Sequence, residues 1–230
     1  MVGVSIAVGL ALLVAAAALA RLPAARRRAR ARSRAEIVEL ENATSVDPET
    51  EAVTSVQKAE LLIDRDALVE IWTPENLERL ARTYWRFLTR VTLGLVRVHY
   101  SEQERYVALV LPPLRLLTFE APEYEIDSTR GLVRWRIARG LLVSRRGRNG
   151  RGYLQIEVRR RPEEDPAAQR VDLHVEVEVA NFYPSIASWL SRRVYNATQS
   201  RLHVIITLGF LRSLTRLDLA ESRIGLLRAQ

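Results

Sequence analysis

The rhythm of apolar positions changes along this chain, and each change predicts a different element. Val2 to Ala20 carries no charge. As a helix its 19 residues would reach roughly 28 Å, close to the hydrocarbon thickness of a bilayer. Residues 35 to about 55 show no period and are rich in acids, among them Glu36, Glu39, Glu41, Asp47, Glu49 and Glu51. They read as a tether. Val56 to Ile63 fits a strand or a helix, and periodicity does not decide between them. Asp64 then caps a short helix over Asp66–Trp72. Thr73-Pro74-Glu75 supplies an N-cap, a proline at the first helical position and an acid in the first turn. Leu77, Leu80, Ala81, Tyr84, Trp85, Leu88 and Val91 follow at helical spacing, with Gly94 as the stop.

From Leu95 to about residue 180 the period is two. Val96, Val98 and Tyr100 alternate with Arg97 and His99, and Val133, Trp135 and Ile137 with Arg134 and Arg136. The runs 106–111 and 114–119 read as further strands, Pro122 begins a turn or edge segment, and Leu154, Ile156 and Val158 form the return of a hairpin. The cleanest alternation sets Val171, Leu173, Val175, Val177 and Val179 against Asp172, His174, Glu176 and Glu178. One face buried and one face wet means an antiparallel sheet. From Pro184, a helical stripe through Ile186, Leu190, Val194, Leu202, Ile205, Leu208 and Leu211 runs to about Leu217. The expected fold class is therefore α+β. An N-terminal transmembrane helix precedes a curved antiparallel sheet of about six strands, wrapped around a long C-terminal helix. The expected organisation is an anchor at 1–20, a basic cluster at 21–34, an acidic tether at 35–55 and one domain at 56–230.

Charge sharpens the first of these. Arg21, Arg26, Arg27, Arg28, Arg30, Arg32 and Arg34 directly follow the apolar run, with no acid among them. Arginine beside a span stays on the cytoplasmic side, so the expectation is a single pass through the cell membrane, N-terminus outside and C-terminal domain cytoplasmic. A cleaved signal peptide would carry its positive charge before the apolar core, and here only the terminal amine precedes it. Taking those seven arginines from the net +8 leaves +1 for residues 35–230. A nearly neutral domain removes the electrostatic argument for nucleic acid as a partner. The chain has no cysteine, which excludes disulfides and thiolate chemistry.

The order of the helix pair Asp66–Trp72 and 74–90, the strands from Leu95 to Val179 and the helix from Pro184 resembles the START-like, or helix-grip, superfamily. That resemblance rests on element order and implies a site for a lipid-like ligand between sheet and helix. It carries over no catalytic residue.

Candidate chemistry is sparse. No two histidines show metal-ligand spacing on one element, so neither a metal nor another cofactor is expected. Glu120, Glu123, Glu125 and Asp127 around Pro122 read as a solvated edge. No G-x-S-x-G motif, phosphate-binding glycine loop or histidine-activated nucleophile occurs, and the expected protein is not an enzyme. Trp85, Trp135, Phe182, Trp189 and Tyr195 are candidates to line a ligand pocket, or simply to fill the core. Arg145, Arg146, Arg148 and Arg151 gather on a glycine-rich loop. Together with Arg26, Arg27, Arg28 and Arg30 they are candidates to touch anionic headgroups, at about 1 kcal/mol per basic residue. The functional expectation is a non-catalytic, membrane-tethered domain that binds an apolar or lipid-like ligand. The alternative is a membrane-anchored interaction or regulatory module with a filled core, its protein partner unknown.

Overall fold

The structure is a computed structural model that describes residues 35–100, 104–109, 114–148, 150–161 and 168–183, together with 207, 209–211 and 214. The expected anchor at 1–20, the basic cluster at 21–34 and the beginning of the expected C-terminal helix lie outside those residues. Among the described residues, no helix is long and apolar enough to cross a membrane.

Nine antiparallel strands form the body of the described chain. They are β1 (Ala35–Val46), β2 (Val53–Asp64), β3 (Val96–Tyr100), β4 (Glu104–Leu109), β5 (Arg115–Glu120), β6 (Glu123–Ile126), β7 (Arg130–Arg139), β8 (Tyr153–Arg160) and β9 (Arg170–Phe182). Their order across the sheet is β1-β2-β9-β8-β7-β5-β4-β3, with β6 also paired to β7. Two helices, α1 (Arg65–Ile71) and α2 (Pro74–Val91), connect β2 to β3.

This architecture corrects the expected fold class in two respects. The described sheet has nine strands instead of about six. Also, the described residues contain no long C-terminal helix for a sheet to wrap; Thr207, Gly209, Phe210, Leu211 and Leu214 are the helical positions there. Among the described residues, α2 is the element that covers the sheet's centre. Tyr84 and Trp85 are buried on its inner face, and Trp85 meets Trp135 of β7 edge-on at 5.2 Å.

The expected tether at 35–55 is corrected as well: its two ends are β1 and the start of β2. Acidic residues obscured β1 because it is an edge strand. Beyond Ala35, Ile37 and Leu40 its side chains are exposed on both faces, so no apolar alternation marks it. Backbone pairing with β2 holds it regardless, from Ala35 opposite Ile63 to Val46 opposite Val53. The intervening turn is closed by the Asp47 carboxylate, which accepts from the Thr50 and Glu49 amides at 2.7 and 2.9 Å. Those bonds, Thr50's first, hold its carboxyl below the usual range.

The other strands follow their period. In β9, Val171, Leu173, Val175 and Val177 are buried while Asp172 is exposed and His174, Glu176 and Glu178 are half-buried. That polar face is laced with cross-strand pairs. Arg130 Nε donates to Glu157 at 2.6 Å, Arg136 Nε to Glu123 at 2.7 Å, and His174 Nδ1 lies 2.7 Å from Glu60. Thr73 caps α2 through its hydroxyl, which accepts from the Asn76 amide at 3.2 Å.

Candidate ligand pocket

A pocket lies where α1 and the first turns of α2 meet the sheet. Leu68, Ile71 and Trp72 contribute from α1 and its end, and Asn76, Leu77 and Leu80 from α2. The floor comes from Leu61 and Ile63 of β2, Gly131 of β7, Val158 of β8 and Leu173 and Val175 of β9. Alternation explains this floor: each strand sends every second side chain to the same side, and those side chains are aliphatic. Ile126 of β6 and Leu214 complete the wall. Gly131 creates part of the space, since a β-carbon there would stand 3.5 Å from Leu77 Cδ1.

The pocket is open at one side and its volume is about 70 Å³. An apolar void of about 150 Å³ admits benzene, so this one holds a short length of aliphatic chain. The rest of a longer molecule would occupy the mouth, where Ile71, Trp72 and Asn76 are half-buried and Ile126 is exposed. That mouth is braced. Trp72 Nε1 donates to the Asp127 carbonyl at 2.7 Å, tying the end of α1 to the β6–β7 turn. Asp127 in turn accepts from the amides of Thr129 and Arg130 at 2.7 and 2.8 Å, bonds that hold its carboxyl below the usual range. Asn76 Nδ2 donates to the Glu70 carbonyl at 3.2 Å.

Beside the pocket, in the seam between α2, β3, β4 and β6, sits a polar cluster. Arg105 of β4 is 6 % exposed, and its guanidinium lies 5.0 Å from the Tyr100 ring centroid. Arg82 of α2 approaches the same ring at 4.9 Å and pairs with Glu78, one turn earlier, at 3.8 Å. Burial pushes the Tyr100 and Tyr124 hydroxyls up, so both are neutral. Arg105 Nε and Nη1, Arg82 Nε and Glu78 Oε2 are buried without a hydrogen-bond partner.

Of the residues singled out from sequence, Trp85, Trp135 and Phe182 are buried, and none of the three lines this pocket. Trp85 packs against Tyr84, Phe119 and Trp135 with ring centroids 5.2 to 5.3 Å apart, filling the space between α2 and the sheet. Trp189, Tyr195, Arg26, Arg27, Arg28 and Arg30 lie outside the described residues. Arg145, Arg146, Arg148 and Arg151 are exposed. The first two begin a 3-10 turn that is packed down: Gly147 is buried, a β-carbon on it would stand 3.0 Å from Val143 and Tyr183, and the Ser144 amide donates to the Tyr183 carbonyl at 2.9 Å. Among the described residues, no group of three or more His, Asp or Glu is placed to hold a metal ion.

Sequence reasoning missed Gly131, Leu68, Ile126 and Arg105. For Leu68 the signal existed, as an apolar residue in a short capped helix. Arg105 had none, because arginine is common along this chain.

No protein-family model matches the chain, and no curated protein matches it. Among solved structures, the crystal structure of human STARD10 is similar over 74% of this chain and 73% of that one, at 9% identity and a TM-score of 0.28.

Proposed function

We propose that this domain binds an apolar, lipid-like ligand without catalysis, seating part of an aliphatic chain beneath α1 and α2. The observation that supports this reading is the pocket's lining. Of its fifteen residues Asn76 and Trp72 alone carry polar side-chain groups, and both stand at the mouth. Water in such a space finds too few partners, so filling it with methylene groups is favourable by about 0.8 kcal/mol for each CH₂ buried. The volume suits a chain segment and not a whole lipid. As part of the same proposal, the domain works on the cytoplasmic side of a membrane; support for that comes from the arginines at 21–34 alone.

The test is calorimetric titration of the full-length protein with 1-octanol. Binding with a negative heat-capacity change is expected, because apolar surface leaves water. Gly131→Val should abolish it, since the new methyl groups enter the pocket against Leu77. The milder Gly131→Ala should weaken it while the far-ultraviolet spectrum stays native. Octanol binding that ignores both substitutions would refute the assignment.

A further inference from the structure

The geometry points to an oxyanion site in the seam formed by Arg82, Arg105, Tyr100 and Tyr124, one that receives the head of the ligand whose chain the adjoining pocket holds. This inference rests on the pocket reading and deepens it: the ligand is an amphiphile ending in a carboxylate or a phosphate.

The first ground is an imbalance of charge and hydrogen bonds. Arg82 and Arg105 bring two positive charges into the seam and Glu78 one negative charge. Arg105 is 94 % buried, yet two of its guanidinium nitrogens have no acceptor. A buried, unsatisfied guanidinium is costly, and its fixed fork of donors matches an oxyanion. The ring faces of Tyr100 flank both guanidinium groups without supplying an acceptor in their plane. One further negative charge neutralises the cluster and gives the idle donors their partner.

The second ground is continuity. Tyr124 and Ile126 are alternate residues of β6, about 7 Å apart on one face of the strand. Ile126 lines the pocket, whereas Tyr124 belongs to the arginine cluster, where its hydroxyl bonds Arg105. On α2, Leu77 and Leu80 line the pocket while Glu78 and Arg82 of the same two turns belong to the cluster. A head held between Arg105 and Tyr124 therefore leaves its chain about one strand repeat from Ile126, at the rim of the apolar pocket.

Full-length protein would be titrated with octanoate, octyl phosphate and 1-octanol. Either anion should bind at least tenfold more tightly than octanol, and comparing the two anions identifies which head the site prefers. Arg105→Met should reduce that advantage below threefold while leaving octanol binding unchanged. Its urea midpoint should not fall, because an unpaired buried charge has been removed. Glu78→Gln should strengthen anion binding, since it removes the competing carboxylate; this second variant decides the question if Arg105→Met does not fold. Equal affinity for octanol and both anions would overturn the oxyanion site and leave the pocket standing. Failure of all three probes to bind would overturn both.

Discussion

Leu68→Ala tests the pocket through stability and binding together. Leu68 is 0 % exposed and lines the cavity from α1. Removing three carbons forfeits about 2.4 kcal/mol of transfer free energy, at about 0.8 kcal/mol each. The vacated space joins a void that already exists, so the surroundings have little reason to collapse into it. A growth of roughly 60 Å³ at about 24 cal/mol per Å³ adds about 1.4 kcal/mol. The expected loss is about 4 kcal/mol, which with a urea m-value near 2 kcal/mol/M lowers the midpoint by about 2 M. The variant should also gain as a binder. At one hundred times its dissociation constant, 1-octanol would restore about 2.7 kcal/mol. Urea unfolding with and without octanol, at unchanged m, reads both quantities. The reasoning is refuted if the loss is under about 1 kcal/mol, or if octanol raises the variant's midpoint no more than that of the native protein.

Two further substitutions probe the frame that holds the pocket. Gly140 has φ +147°, and a β-carbon there would lie 2.3 Å from the Leu116 carbonyl oxygen and 2.8 Å from Leu117 Cα, both backbone atoms. Gly140→Ala should cost about 3 kcal/mol or more in urea unfolding, against about 1 kcal/mol for Gly150→Ala, whose β-carbon meets nothing within 4 Å. Similar losses for the two would show that the β5–β7 junction is looser than described. Burial alone would raise the carboxyl of Glu157, but hydrogen bonds from Arg130 and Arg159 outweigh it, leaving the folded value below the ordinary 4.5. A depressed carboxylate contributes stability that is present above its unfolded pKa and lost as pH falls through the folded one. Glu157→Gln should therefore be less stable at pH 7 and show a flatter stability curve between about pH 5 and 3. Parallel curves would place the acid sensitivity elsewhere.

Legibility in the sequence followed how strictly each element obeys one period. β9 and α2 were plain: the valines of one are buried every second residue, and Leu77, Leu80, Ala81, Tyr84 and Trp85 of the other share a buried face. The cap at Thr73 was equally local, because Thr-Pro-Glu specifies a helix start without help from the rest of the chain. β1 was not legible, since an edge strand wet on both faces is held by backbone bonds that no side-chain pattern records. β8 was misleading in a different way. Gln155 and Glu157 lie on its polar face yet are 6 % and 3 % exposed, covered by arginines reaching over from β7 and by Arg159.

Pattern alone established an antiparallel sheet with one oily face and an amphipathic helix with an inward stripe, because periods of two and 3.6 are properties of the backbone. It also established where charge accumulates and that cysteine chemistry is absent. Only packing in three dimensions decided that α2, among the described residues, lies over the sheet's centre, that Trp85 and Trp135 fill space, and that a glycine and small gaps between aliphatic side chains leave a pocket beside α1. It alone set Arg105 in a seam where two of its donors go unanswered. Cavities and unmet hydrogen bonds arise from residues distant along the chain, such as Leu61, Leu77, Ile126 and Leu173 around one void, and short-range periodicity contains no information about such meetings.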